Sequence, residues 1–212
     1  MSDIHYSLTK LLVADSTYTD QISLSDVKAH LRVSWSTENT AITNILKAAY
    51  SICSEYIGLS IIASEYTLFM DRFPNANEDS WFLLPYSCGE TTISGLKYYG
   101  TDNVEVIWDA SDIATYLSYD STRTTWVRVY PSVGKTFPST ASRPAAFNIS
   151  YDTGYKDAGT SENSLPNDIR AAILLMVGNL YENRQDNIVG RITSELPMTA
   201  KHLLNPYRTL KL

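Results

Sequence analysis

Residues 165–184 (LPNDIRAAILLMVGNLYENR) carry the longest helical pattern in the chain. Ile169, Ala172, Ile173, Met176, Val177 and Leu180 recur at three- and four-residue steps, which places them in one apolar stripe. Pro166 suits a first turn, where its missing N–H has no helical partner. Asn167 and Asp168 offer acceptors to the orphan amides there, and Arg184 closes the segment at the end that favours cations. Two earlier stretches show the same period. In residues 22–33, Ser23 is placed to cap a helix with Asp26 three positions on, and Val27 and Leu31 share one side. In residues 40–57, Ile42, Ile45, Leu46, Ala49, Ile52, Cys53, Tyr56 and Ile57 form a wide stripe, and Gly58 is placed to end it in the left-handed conformation. Such stripes must bury themselves. The pattern predicts a helical core built from both ends of the chain, with Ile45, Leu46, Ala49, Ile169, Ile173, Met176 and Leu180 inside it.

Between the helices the period drops to two. Short β-rich runs at 66–71, 81–84, 93–99, 104–108, 116–118, 126–130 and 146–151 alternate with turn residues. Val104, Val106 and Trp108 share one face of a run, as do Phe147, Ile149 and Tyr151. Residues 100–103 (Gly-Thr-Asp-Asn) join two runs as a hairpin loop, and residues 136–144, with two prolines, read as an exposed loop. Run count and spacing predict a small antiparallel sandwich or barrel. The expected class is α+β: a three-helix core, an antiparallel β module inserted between helices 2 and 3, and an extended C-terminal tail. The expected divisions are an N-terminal arm (1–21), a discontinuous helical core (22–58 and 165–184), the β insertion (59–152), a linker (153–164) and the tail (185–212). No internal repeat or low-complexity tract interrupts this order.

Composition narrows the picture without changing it. With 212 residues, 44% hydrophobic and 19% charged, the chain has ample material for a packed core. Tyrosine outnumbers phenylalanine 15 to 5, which fits half-buried sheet positions and contact surfaces equally. The net charge of −6 shows no basic patch of the kind a free-standing nucleic-acid binder carries. Within residues 185–212, Arg191, Lys201, Arg208 and Lys211 oppose Asp186 and Glu195, so four cations against two acids leave that segment at +2 and the other residues at −8. Cys53 and Cys88 do not make a disulfide framework and read as free thiols of a reducing compartment. No cationic, apolar signal segment opens the chain, and the apolar run at 171–178 is too short to span a bilayer. A soluble protein made in the cytoplasm is expected.

Motifs for chemistry are sparse. His5, His30 and His202 fall in no metal-ligand spacing, and neither cysteine has a histidine nearby in sequence. There is no phosphate-cradling glycine loop and no Gly-x-Ser-x-Gly elbow. The acidic pairs Glu78/Asp79 and Asp109/Asp112 sit in turns, where such residues shape the backbone; the second pair also offers the start of a weak calcium site. No catalytic residue, metal or cofactor is assigned, and no enzyme activity is expected.

The order of motifs carries more than any one of them. LSDVKAHLRV (24–33) and AAYSICSEYIG (48–58) resemble the first two helices of phage head–tail connector, or adaptor, proteins of long-tailed double-stranded DNA phages. FLLP (82–85), NISYDTGY (148–155), LPNDIRAA (165–172), LYENR (180–184) and LNPYR (204–208) match further blocks in the same order, so the resemblance spans about residues 22–208. It implies a structural virion protein of the neck, made in the host bacterial cytoplasm. Copies would form a ring, dodecameric in the particle, beneath the portal protein. On its other side the ring would meet a tail-proximal stopper or tail protein. Genomic DNA would pass through the channel without sequence recognition, as suits an acidic body, and no membrane is involved. A closed ring needs two different complementary faces on each subunit. Tyr181, Arg184 and Arg191 are the candidates for that interface, Tyr and Arg being enriched at interface hot spots. Leu203, Leu204, Pro206, Tyr207 and Arg208 are the candidates for portal contact, folding as they bind. Two readings from other classes stand beside this one. The β insertion could bind carbohydrate or a receptor, with Trp81, Trp108 and Trp126 lining a groove; or a hydrolase site could assemble from distant residues, with Cys53 or His30 at its centre.

Overall fold

A computed structural model describes residues 6–10, 17–74, 81–88, 91–120, 123–155, 165–183 and 197–208. The chain forms two compact units, one of residues Met1–Val13 and Ala63–Gly154, the other of Ala14–Ile62 and Tyr155–Leu212. The class is α+β.

The first unit is antiparallel β. Its five-stranded sheet runs in the order β1 (Tyr6–Lys10), β2 (Ser64–Met70), β8 (Phe147–Thr153), β4 (Thr92–Tyr99), β5 (Glu105–Ile107). A three-stranded sheet runs in the order β3 (Phe82–Leu84), β7 (Arg123–Pro131), β6 (Ile113–Asp120). All seven β runs expected from the alternation are strands. β2 and β8 each alternate buried and half-buried side chains along their length, so Tyr66, Leu68, Met70, Phe147, Ile149 and Tyr151 line one face. Phe82, Leu84, Val127 and Val129 of the second sheet join the same core, which gives the two-layer packing of a sandwich. The Gly100–Asn103 loop closes the β4–β5 hairpin, with Asn103 at φ 61° and the Gly100 amide on the Val104 carbonyl at 2.9 Å. Residues 136–144 contain no strand, as the two prolines lead one to expect.

The second unit is helical: α1 (Thr17–Gln21), α2 (Leu24–Leu31), α3 (Asn39–Ile57), α4 (Asn167–Glu182) and α5 (Met198–Leu204). Ser23 caps α2, its Oγ accepting the Asp26 amide at 3.1 Å. Gly58 ends α3 at φ 74°, with its amide on the Ser54 carbonyl at 2.8 Å. α3 packs against α4, so two segments over a hundred residues apart share one core with Val27 of α2. Leu46, Ala49, Ile169, Ile173 and Met176 are buried there; Ile45 and Leu180 lie half-buried at its margin.

Three expectations are corrected. The N-terminal arm (1–21) is not a separate division over its described residues: Tyr6–Lys10 is a strand of the β unit, paired with β2 along its length, with Leu8 packed onto the sandwich core. Thr17–Gln21 is a short helix. The C-terminal tail is not extended over Met198–Leu204 but helical, since Ala200 and Leu204, four residues apart, bury fully against the unit. Finally, Pro166 precedes α4 as its N-cap in extended geometry (φ −55°, ψ 140°) rather than entering the first turn, and no side chain caps that end.

Candidate functional site

The candidates for assembly contacts collect on the helical unit. α5 continues through a 3-10 turn, Asn205–Tyr207, and this segment lies on α3 and α4. Tyr56 of α3 donates its hydroxyl to Asn205 Oδ1 at 2.6 Å, and the Arg208 guanidinium sits over the Tyr56 ring, 5.3 Å from its centroid. The Tyr207 hydroxyl points at Asp168 Oδ2, 3.4 Å away, at the N-terminus of α4. Partial burial, then the Asp168 charge, raise the Tyr207 pKa, so this hydroxyl stays protonated and donating. Of the residues proposed for portal contact, Leu204 is fully buried and fixes the segment, Leu203 and Tyr207 are half-buried, and Pro206 and Arg208 are exposed. Leu204 thus lies beneath the segment, and the other four candidates lie wholly or partly at its surface.

Tyr181, near the end of α4, is half-buried and donates to Glu38 Oε2 at 2.6 Å, which ties α4 to the residue preceding α3. Arg184 and Arg191 lie outside the described residues. The sequence reading passed over Trp35, 52% exposed after α2, and Met198, 76% exposed on α5. A tryptophan inside the polar stretch 34–39 is a signal that could have found the first; a single methionine at a helix start gives none.

Among the described residues, those that could do chemistry are not gathered. Burial pushes the thiols of Cys53 and Cys88 up to about 12, so both are neutral and unreactive in the folded chain. His30 is exposed on α2, His202 is exposed on α5, and His5 lies outside the described residues. Asp109 accepts the Ser111 amide at 2.8 Å, and that hydrogen bond holds its carboxyl below the usual range; Asp112 pairs with Lys135 at 3.0 Å. Among the described residues no three His, Cys, Asp or Glu side chains come together as a metal site, and no helix is long and apolar enough to cross a membrane. A cleft of about 590 Å³ in the β unit is lined by Arg72, Tyr130, Lys135 and Phe137 among others, with no acid, histidine or cysteine in its wall. The tryptophans expected to line a groove do not do so as a set. Trp108 meets Phe73 and Phe137 edge-on inside an aromatic cluster, and Trp81 lies under the Arg128 guanidinium. The Trp126 side chain is outside the description.

No protein-family model and no curated protein sequence matches this chain. Solved structures do. A chain in the neck of an empty gene transfer agent (GTA) particle, computed with C6 symmetry, superposes with a TM-score of 0.66 at 19% identity, covering 97% of each chain. A chain in the virion of a native GTA particle gives 0.67 at 19% identity, covering 97% of this chain and 96% of that one. A chain in the neck of a native GTA particle, computed with C12 symmetry, gives 0.65 at 17% identity, again over 97% of each. The agreement runs end to end and establishes a shared fold.

Proposed function

We propose that this chain is a structural neck protein of a phage-like particle. Its copies form a ring beneath the portal, extend the DNA channel and receive the tail. The observation that carries this reading is the end-to-end likeness of its fold to chains from GTA necks, which the ordered motif blocks of the sequence support independently. Cyclic symmetry in those necks suits a subunit with two unlike faces repeated around an axis. Pro206, Tyr207 and Arg208 present the portal-facing contact, held by Leu204 and by the Tyr56–Asn205 hydrogen bond. Tyr181 contributes to the ring indirectly, by fixing the end of α4 against Glu38; Arg184 and Arg191 are the further candidates for contact with the neighbouring subunit.

The test is to mix the purified protein with DNA-filled capsids that carry a portal but lack this protein, and to image the portal vertex by negative stain. Added ring density at that vertex, with recovery of tail joining, is the expected result. Capsids that gain neither overturn the proposal.

A further inference from the structure

The five-stranded sheet ends on an unfinished edge. On either side of β5 the Val104 carbonyl accepts the Gly100 amide and the Trp108 amide donates to the Leu96 carbonyl, so residues 104, 106 and 108 turn their backbone groups toward β4. By the alternation of an antiparallel ladder, Glu105 and Ile107 turn theirs outward, where no described strand lies beyond them. The side chains are uncovered too. Val104 and Val106 lie on the same face as Trp108, which packs on the core, yet they are 56% and 36% exposed; Ile107, on the opposite face, is 75% exposed. β5 is short and carries one charge, Glu105, but it has no lysine, proline or bulge to turn a further strand away.

The opposite edge of the same sheet is β1. Five strands, each antiparallel to the next, make the two edge strands run in the same direction. A copy displaced in the plane of the sheet therefore brings its β1 alongside β5 as a parallel pair, with the core-side faces of both on one side. β1 then supplies Tyr6, 66% exposed and on the same face as Leu8, to cover the Val104–Val106 margin.

We infer that the β5 edge of one subunit takes up the β1 edge of the next by strand addition, a head-to-tail contact between copies of this chain. It rests on the reading of the protein as a repeated neck component and adds to it a specific joint in the β unit. The contact is heterologous, as ring closure requires.

Ile107→Pro tests it, since that amide points outward and its loss leaves the β4–β5 ladder intact; Val106→Lys places a charge on the uncovered margin. Both full-length variants should keep the wild-type circular dichroism spectrum and show at least a tenfold loss of ring formation on portal-bearing capsids. A second measurement is independent of those substitutions. Ser7 or Thr9 changed to Cys, combined with Glu105 or Ile107 changed to Cys, should give intersubunit disulfides in assembled particles, the native thiols being buried. If wild-type protein forms rings while both edge variants assemble equally well and no cysteine pair cross-links, the strand joint is wrong and the neck reading stands. If the wild-type protein itself does not bind the portal vertex, the failure belongs to the neck reading.

Discussion

Tyr50 and Tyr151 are both buried, but only one of them has its hydroxyl satisfied. Tyr151 donates to the Pro85 carbonyl at 2.6 Å, whereas the Tyr50 hydroxyl lies near the Ile22 amide without a hydrogen bond of ordinary geometry. A buried hydroxyl lacking a partner keeps its desolvation cost of about 1–3 kcal/mol, and removing one member of a satisfied pair creates that cost. Tyr50→Phe should therefore be neutral or stabilising by up to about 1 kcal/mol in urea denaturation, and Tyr151→Phe destabilising by about 1–2 kcal/mol. The cysteines give a pH signature. Burial raises Cys53 and Cys88 from 9.0 to about 12. Below pH 9 the thiol is neutral in both folded and unfolded chains. Above it the unfolded thiols ionise while the folded ones resist, so stability falls as pH rises from about 9 toward 12. A Cys53→Ala/Cys88→Ala variant should lose less stability than the wild type over the first part of that range, measured as the denaturation midpoint against pH. None of this was legible in the sequence, where all 15 tyrosines look alike and burial of a given hydroxyl depends on residues brought from elsewhere in the chain.

Long elements announce themselves and short ones do not. α3 and α4 span 19 and 16 residues, enough turns for a stripe to separate from chance, and the alternation in β2 and β8 is equally plain. β1 and α5 have five and seven residues. Elements this short are stabilised by what they pack on rather than by their own pattern, so Leu8, Ala200 and Leu204 acquired meaning only once a core was in place to receive them. The consequence at α5 is testable. Leu204 is fully buried, and Leu204→Ala should cost about 2–5 kcal/mol of unfolding free energy. Tyr207→Ala, half-exposed and held by a long 3.4 Å contact, should cost under about 1 kcal/mol, in the range of surface changes, while abolishing capsid joining. A large stability loss at Tyr207, or joining that survives its removal, would show that the exposed part of this segment is scaffold rather than contact.

At the scale of the whole chain, the helical body assembles from two stretches with a β unit between them, and the sequence foretold this because the helical stripes at either end have no other partner of matching length. What it did not show is how close the excision points lie. Ile62 and Tyr155 form an isolated parallel bridge, with the Tyr155 amide on the Ile61 carbonyl at 3.3 Å. The Tyr155 carbonyl accepts from Gln21 Nε2 at 3.0 Å, and the Arg170 guanidinium donates to the Gln21 carbonyl. The helical unit thus sews its own seam with its own residues, and Ile22, Leu46, Ile57, Ile61, Ile169 and Ile173 are buried within a unit that includes both sides of it. A chain starting at Ala14, with residues 63–154 replaced by a Gly/Ser linker of about eight residues, has a mean linker reach of about 15 Å, ample for neighbouring ends that run in the same direction. It should fold with a helical circular dichroism spectrum and a single cooperative thermal transition. Because it keeps Pro206, Tyr207 and Arg208 but lacks both sheet edges, it should also bind portal-bearing capsids without closing a ring. A broad, non-cooperative melt would mean that the helical core needs the β unit in order to fold. A cooperative melt with normal ring closure would place the subunit joint on the helices, and the exposed Val104 and Val106 at the β5 edge would then face another component of the neck.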